Sequence, residues 1–238
     1  DASVKCWGGN MHGQLGLGDS NERGNAPGEM GNNLNAVALG NGRTALAVSA
    51  GWSHTCALLD DASVKCWGYN NDGQLGLGTT VAFGKSSGDM GNNLNAVALG
   101  PHTAVAVTCG GVHTCALLDD TSVKCWGFNG EGQLGLGDMN SRGDQPGEMG
   151  NNLPEVALGT NRNATAVLTT WRVTCAVLDN RMLKCWGNNA AGELGLGDTN
   201  NRGDQPGEMG DSLPEVALGA SAMNYSPLPS LLSPPPPP

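Results

Sequence analysis

The chain has 238 residues, of which 38 are glycine and only 4% are aromatic, so its core must come from small and aliphatic side chains; that suits tightly turned β-structure better than a helical bundle. A formal charge of -10, with twelve basic residues spread thinly and never in a run, excludes the clustered Lys and Arg that a nucleic-acid partner requires. No apolar run approaches the roughly 18 residues needed to cross a bilayer as a helix.

The chain opens on "DASVKCWG", Asp1 to Gly8, which reads as the second strand of a hairpin without its first. A glycine-rich "GQLGLG" follows from Gly13, then a long polar loop, then an extended piece around "NAVALG" ending at Gly40. Three more extended pieces come next: "ALAV" at Ala45–Val48, "TCALL" from Thr55 and "SVKCW" from Ser63. Gly, Asp and Asn clusters separate them.

This order then recurs. "CWG" begins at Cys6, Cys66, Cys125 and Cys185, at intervals of 60, 59 and 60, and the glycine-rich segment returns at Gly73, Gly132 and, as "GELGLG", at Gly192. Four short strands per unit at this period is the pattern of a propeller blade. A stacked solenoid is the rival, but its repeats are shorter and lack this hairpin. The predicted fold is therefore all-β, with blades of about 60 residues, about three and a half repeats over residues 1–219 and a Pro/Ser-rich tail over residues 220–238. The leading half-unit finds no complement in the C-terminal "ASAMNYSPLPSLL". An unpaired strand edge attracts another chain, so a longer polypeptide or a neighbouring chain is expected to complete it.

Each full unit carries two cysteines ten positions apart. Cys56 and Cys66 flank a turn at Asp60, Asp61 and Ala62. An even separation across a three-residue loop sets them opposite each other on one face, close enough for a disulfide. The same reading pairs Cys115 with Cys125 and Cys175 with Cys185. Three parallel thiol nucleophiles are hard to rationalise, and the close cysteine pairs of a structural zinc site do not occur. Each bridge is expected to contribute about 2.5–3 kcal/mol by chain entropy. Cys6 occupies the second hairpin position, so its partner is expected outside this segment. Cys109 replaces Ala50 and Thr169 of the other units and reads as a buried free thiol, with a Cys6–Cys109 or interchain bridge as the alternative.

The string "HTCAL…VKCWG…GQLGLG" resembles the regulator of chromosome condensation repeat, whose members form seven-bladed β-propellers. The resemblance covers residues 1–219 and implies that these units are part of such a propeller. The cysteine-stapled version is similar to the secreted branch of the family. The nuclear founder exchanges guanine nucleotide on a small GTPase and docks on chromatin, but disulfides do not suit the nucleus, and no basic arm is present. A bacterial propeller that inhibits β-lactamase through one rim shows the fold used as a rigid binding surface.

The tail "SPLPSLLSPPPPP" ends in Pro234, Pro235, Pro236, Pro237 and Pro238. Five prolines form a left-handed polyproline helix about 15 Å long. Their Ser-Pro context resembles extensin-like and pherophorin-like glycoproteins, which implies hydroxyproline bearing arabinose at these five positions. Two N-glycosylation sequons, at Asn163 and Asn224, agree with export; Pro227 weakens the second.

Other motifs read as structural. "RGD" at Arg142–Asp144 and Arg202–Asp204 stands where the first unit has "RGN" at Arg23–Asn25, so a local Arg–Asp pair in a turn explains it better than integrin binding. "DMNSRGD" and "DTNNRGD" partly match a calcium loop, but arginine stands where an oxygen ligand belongs. His54 and His113 sit beside cysteine, yet the third copy has Val173, which favours packing over catalysis. "GQLGLG" lacks nucleotide-cradle spacing. Leu15, Leu75, Leu134 and Leu194, with Trp7, Trp67, Trp126 and Trp186, are expected to fill the space between blades.

No catalytic residue, cofactor or metal ligand is assigned. The expected role is a non-enzymatic structural or adhesive part of an extracellular or cell-surface glycoprotein, in which repeats join a glycosylated polyproline rod. Its partners would be other copies or segments of the same glycoprotein and covalent glycans, without nucleic acid or a membrane span. A secreted binding module for protein or carbohydrate, and an exchange factor for a small GTPase, are the alternatives.

Overall fold

The computed structural model describes residues 3–219. Among them, nine strands form three antiparallel sheets of three strands each. The first holds β1 (Ala45–Ala50), β2 (His54–Leu59) and β3 (Val64–Gly68); the second β4 (Ala104–Cys109), β5 (His113–Leu118) and β6 (Val123–Gly127); the third β7 (Ala164–Thr169), β8 (Val173–Leu178) and β9 (Leu183–Gly187). In each sheet the middle strand is the one that follows first in the chain, as in a meander. The sheets pack in chain order, with β1 against β4 and β4 against β7, so that the first strands of successive blades are neighbours.

The hairpin turns have three residues. Leu59 N–H donates to Ser63 O and Ala62 N–H to Leu59 O, both at 2.9 Å. The third loop residue takes a left-handed conformation, with φ of 63° at Ala62, 72° at Thr121 and 68° at Arg181. This is the three-residue turn whose last residue forms a bulge at positive φ. It places Cys56 opposite Cys66, Cys115 opposite Cys125 and Cys175 opposite Cys185. These are non-hydrogen-bonded pairs, in which facing Cα atoms come closest.

The fourth extended piece of each unit does not become a strand. It makes a single backbone bond to the unit it flanks: Val37 N–H to Val4 O, Val97 to Val64, Val156 to Val123 and Val216 to Leu183, at 2.7–2.8 Å. Its burial alternates as a strand's would, with Val37 and Leu39 buried and Ala36 and Ala38 exposed, but one backbone bond does not make a ladder. Pro154 and Pro214 also remove a ladder donor in the later copies. Its place in the blade is held instead by lysine. Lys65 Nζ donates to Leu39 O at 3.0 Å and to Gly91 O at 2.7 Å, and Lys124 and Lys184 repeat the clamp on Leu99 and Gly150, and on Leu158 and Gly210.

The core lies between blades. Trp126 packs with Leu75, Val97, Leu99 and Leu118, and Trp186 with Leu134, Val156, Leu158 and Leu178. The glycine-rich loops make this possible by close approach. A Cβ on Gly76 (φ 67°) would stand 2.8 Å from Trp126 Nε1. Trp7 departs from the expected pattern: it is 62% exposed whereas Trp67, Trp126 and Trp186 are fully buried. Each buried indole is covered by the glutamine loop one unit earlier, and Trp7 has no such loop before it among the described residues.

Candidate functional site

Blades are joined by a repeated polar tie. The backbone carbonyl of Gln14 accepts from Thr55 Oγ1 (2.9 Å) and Trp67 Nε1 (3.0 Å). Gln74 does the same for Thr114 and Trp126, and Gln133 for Thr174 and Trp186. Onto the second and third of these threonines comes a histidine from the blade before: His54 Nε2 lies 2.9 Å from Thr114 Oγ1, and His113 Nε2 lies 2.8 Å from Thr174 Oγ1. Both rings are buried, with Nδ1 unpartnered. Burial pushes His54 down to about 4; burial, and then the neighbouring His54, push His113 down to about 3. These imidazoles are neutral seam elements and hold no proton to trade.

The cysteines give no reactive thiol either. Cys56–Cys66, Cys115–Cys125 and Cys175–Cys185 are bridged, with Cα atoms 4.1 Å apart in each. Cys6 and Cys109 are free, the first half-buried and the second buried. Burial raises both, Cys109 to about 12, so neither is a thiolate at neutral pH. Cys109 is held in the seam between blades, its N–H donating to Ser49 Oγ at 2.9 Å. His54, Cys56 and Cys109 bring ligand-type atoms within 4.8 Å of one another, but the Cys56 sulfur is committed to its bridge and is not available as a thiolate.

The second such cluster, His102 with Asp119 and Asp120, is a surface link. His102 reaches Asp119 at 3.0 Å and Asp120 at 3.2 Å, where the first blade has Arg43 with Asp60 and Asp61 and the third has Arg162 with Asp179. One bend of each unit is thereby tied to its own hairpin turn, with different cations.

In the RGD loops the arginine pairs with the aspartate four residues before it, not with its motif neighbour: Arg142 with Asp138 and Arg202 with Asp198, both at 2.7 Å, as Arg23 does with Asp19 at 2.6 Å. Glu148 Oε2 accepts from Gly143 and Gln145, and Asp144 packs its backbone against the Gly73 loop with one carboxylate oxygen buried. Asp138 also accepts from Asn140 N–H at 2.8 Å, so its oxygens are engaged within the loop. Asn163 is exposed, in the bend before β7. Asn224 and Pro234–Pro238 lie outside the described residues.

What remains is an aromatic end that the motifs did not single out. The turn from the first to the second strand of each blade carries Trp52, Gly111 or Trp171 at the same position. It lies beside the residue that follows "CWG", since Tyr69 N–H donates to Ser53 O, Phe128 to Val112 O and Asn188 to Arg172 O. Trp52 is 68% exposed and Trp171 45%. Their ring centroids are 4.2 Å apart at an interplanar angle of 59°. They meet over the middle blade because Gly111 has no side chain: a Cβ there would stand 2.4 Å from the Trp171 ring. Gly111 N–H donates to the carbonyls of Thr170 (3.0 Å) and Trp171 (3.1 Å), which fixes the turn. The Arg172 guanidinium lies 5.2 Å from the Phe128 centroid and 6.0 Å from that of Trp171, and is anchored by Glu131. In a chain this poor in aromatics, two exposed tryptophans beside a half-buried Phe128 are the most concentrated feature available to a ligand. A large aromatic in the short turn between first and second strands, off every buried position of the repeat, is the signal by which these residues stand out.

Comparison with known proteins agrees with this architecture. Two models, each described as Regulator of chromosome condensation (RCC1) repeat, match residues 1–58 and residues 46–74 and 104–133. The ultraviolet-B receptor UVR8 of Arabidopsis thaliana is 28% identical over 210 residues, covering 85% of this chain and 41% of that protein. The human probable E3 ubiquitin-protein ligase HERC3 is 34% identical over 204 residues, 84% of this chain and 17% of that protein. The chain therefore spans less than half the length of these relatives. Among solved structures, yeast RCC1 (Prp20) bound to Kap60 superposes with a TM-score of 0.60 at 18% identity, over 85% of this chain and 44% of that one. Prp20p of Saccharomyces cerevisiae gives 0.55 at 18% identity, over 83% and 44%. The chain is thus built of regulator of chromosome condensation repeats, folded as successive blades of a β-propeller.

Proposed function

We propose that this chain is a non-catalytic binding scaffold in an exported glycoprotein, with the Trp52–Trp171 end as its ligand-facing surface. One observation carries the reading: two exposed tryptophan rings from different blades are packed together at a tilt and braced on Gly111, while the buried histidines and cysteines are consumed by seams and staples. A surface organised before the ligand arrives loses little entropy on binding. The three disulfides support a place outside the reducing cytosol, and Asn163 is exposed as an N-glycan acceptor must be. The test is a glycan and peptide array probed with the parent chain and with Trp52→Ala/Trp171→Ala. Ligands retained by the parent and lost by the variant support the reading; arrays on which the two bind the same ligands sink it.

A structural or adhesive role in an assembly is the second reading. Leu46 and Val48 on the first blade and Leu168 on the third stay exposed, which favours association of these faces with further repeats or a second copy. Sedimentation of the chain against Leu46→Glu/Val48→Glu tests it, with loss of self-association as the expected result.

A further inference from the structure

We propose that the Trp52–Trp171 ledge is the seat of the proline run Pro234–Pro238 in this chain's own tail, docked in cis. The inference rests on the binding-scaffold reading and names its ligand.

The chemistry of tail and ledge is complementary. A run of prolines offers ring faces and carbonyl oxygens but no N–H, so its receptor must supply flat apolar surface and donors only. Polyproline helices are read in this way, by docking on surfaces lined with aromatic rings. The ledge supplies both. Two indoles tilted at 59° with centroids 4.2 Å apart make a stepped surface, and among the described residues no acceptor takes either indole N–H. Beside them Arg172 extends the stack over Phe128, its charge balanced by Glu131. The tail from Ser226 onward carries no charge, so the net charge of -10 does not repel it.

Reach permits the contact. The last described segment binds β9 at its hairpin end, through Val216 N–H to Leu183 O, whereas the ledge lies at the opposite end of the strands. A five-residue strand is roughly 17 Å long. Residues 220–233 separate Gly219 from Pro234, and such a segment can extend to about 50 Å. The tail is long enough to turn back along the blade without strain.

The experiment uses three full-length chains: the parent, one with Pro234→Ser through Pro238→Ser, and that same chain with Trp52→Ala/Trp171→Ala added. The probe is the synthetic peptide SPLPSLLSPPPPP, followed by calorimetry. The serine variant is expected to bind the peptide 1:1, the parent to bind it several-fold more weakly because its own tail competes, and the tryptophan variant to bind at least ten-fold more weakly than the serine variant with an unchanged unfolding midpoint. The inference is overturned if the serine variant does not bind the peptide or if the tryptophan variant binds it equally well. Competition in the parent that grows with protein concentration also overturns it, in favour of a second copy's tail. An array ligand that needs both tryptophans while the peptide does not bind would sink the tail and leave the scaffold reading standing; failure of both would sink both.

Discussion

His113 Nε2 and Thr174 Oγ1 stand 2.8 Å apart across the seam between the second and third blades, and the same hydroxyl donates to Gln133 O at 2.8 Å. A hydroxyl has one hydrogen. Since Thr174 gives its hydrogen to the carbonyl, the imidazole must be the donor at Nε2, which leaves Nδ1 bare, buried and unpartnered. His54 and Thr114 repeat the arrangement one seam earlier.

Acid should therefore loosen the seams before it does anything else. His54 and His113 titrate near 4 and 3 when folded but near 6.5 when unfolded. Below about 6.5 the unfolded chain takes up protons that the folded chain refuses, so stability is complete above that pH and falls as the pH drops toward 4. Urea midpoints measured from pH 8 to 4 should show this decline, amounting to several kcal/mol. It should flatten in His54→Gln/His113→Gln; a parent curve level across the range would contradict it.

Breaking a tie from the threonine side gives a second check. Thr174→Val keeps the shape but leaves the His113 donor buried without an acceptor, which should cost about 1–3 kcal/mol. Thr174→Ser should stay within about 1 kcal/mol of the parent. Thermal unfolding of the two variants separates the hydroxyl from the methyl group.

Of the eight cysteines, mass spectrometry after alkylation in denaturant without reductant should find two labelled, Cys6 and Cys109. In the native chain Cys6 should label first, with Cys109 protected by burial. Cys115→Ala/Cys125→Ala should lower stability by about 3 kcal/mol through the lost loop constraint, read as a shift in denaturant midpoint.

Two tryptophans should behave oppositely. Trp126→Ala removes a fully buried ring and the Gln74 partner and should cost about 3–5 kcal/mol. Trp52→Ala, at an exposed position, should change stability by no more than about 0.5 kcal/mol. Chemical denaturation of both variants tests the division between core and surface rings.

Thr121 holds a β-branched side chain at φ 72°, a conformation that costs a residue with a Cβ roughly 1–2 kcal/mol. Thr121→Gly should raise the unfolding midpoint by the equivalent of about 1 kcal/mol, a gain that Ser122→Gly, outside the left-handed position, should not reproduce.

Much of the blade was legible because its signals are local. The even spacing of Cys56 and Cys66, the three-residue turn and the recurrence of "CWG" act within a hairpin or repeat at fixed intervals. The fourth extended piece has strand-like alternation at Val37 and Leu39 yet makes one backbone bond to its blade, a difference in pairing that local spacing does not carry. Burial of Trp7 was expected from its repeat position, but that position is covered only by a preceding glutamine loop. The histidine ties were hidden for a related reason, since His54 meets a threonine 60 residues later. The aromatic ledge was the least visible. Trp52 and Trp171 approach only because a whole blade between them narrows to a glycine at 111, a relation no window of sequence contains.

The second unit is one residue shorter than its neighbours, and the missing residue comes from one place: Leu99 precedes Ala104 by five positions, whereas Leu39 and Leu158 precede Ala45 and Ala164 by six. At that bend His102 stands in for Arg43 and Arg162. Length and cation both vary there, and Pro101 gives up the N–H bond that Asn41 makes to Asn92 and Thr160 to Asp211, while the glutamine, threonine and histidine ties keep their partners. Foreign sequence inserted between Pro101 and His102, leaving Gly100 and the Thr103–Asp119 bonds in place, would thus project from the blade edge, which makes this bend the natural port for displaying an epitope or a reporter.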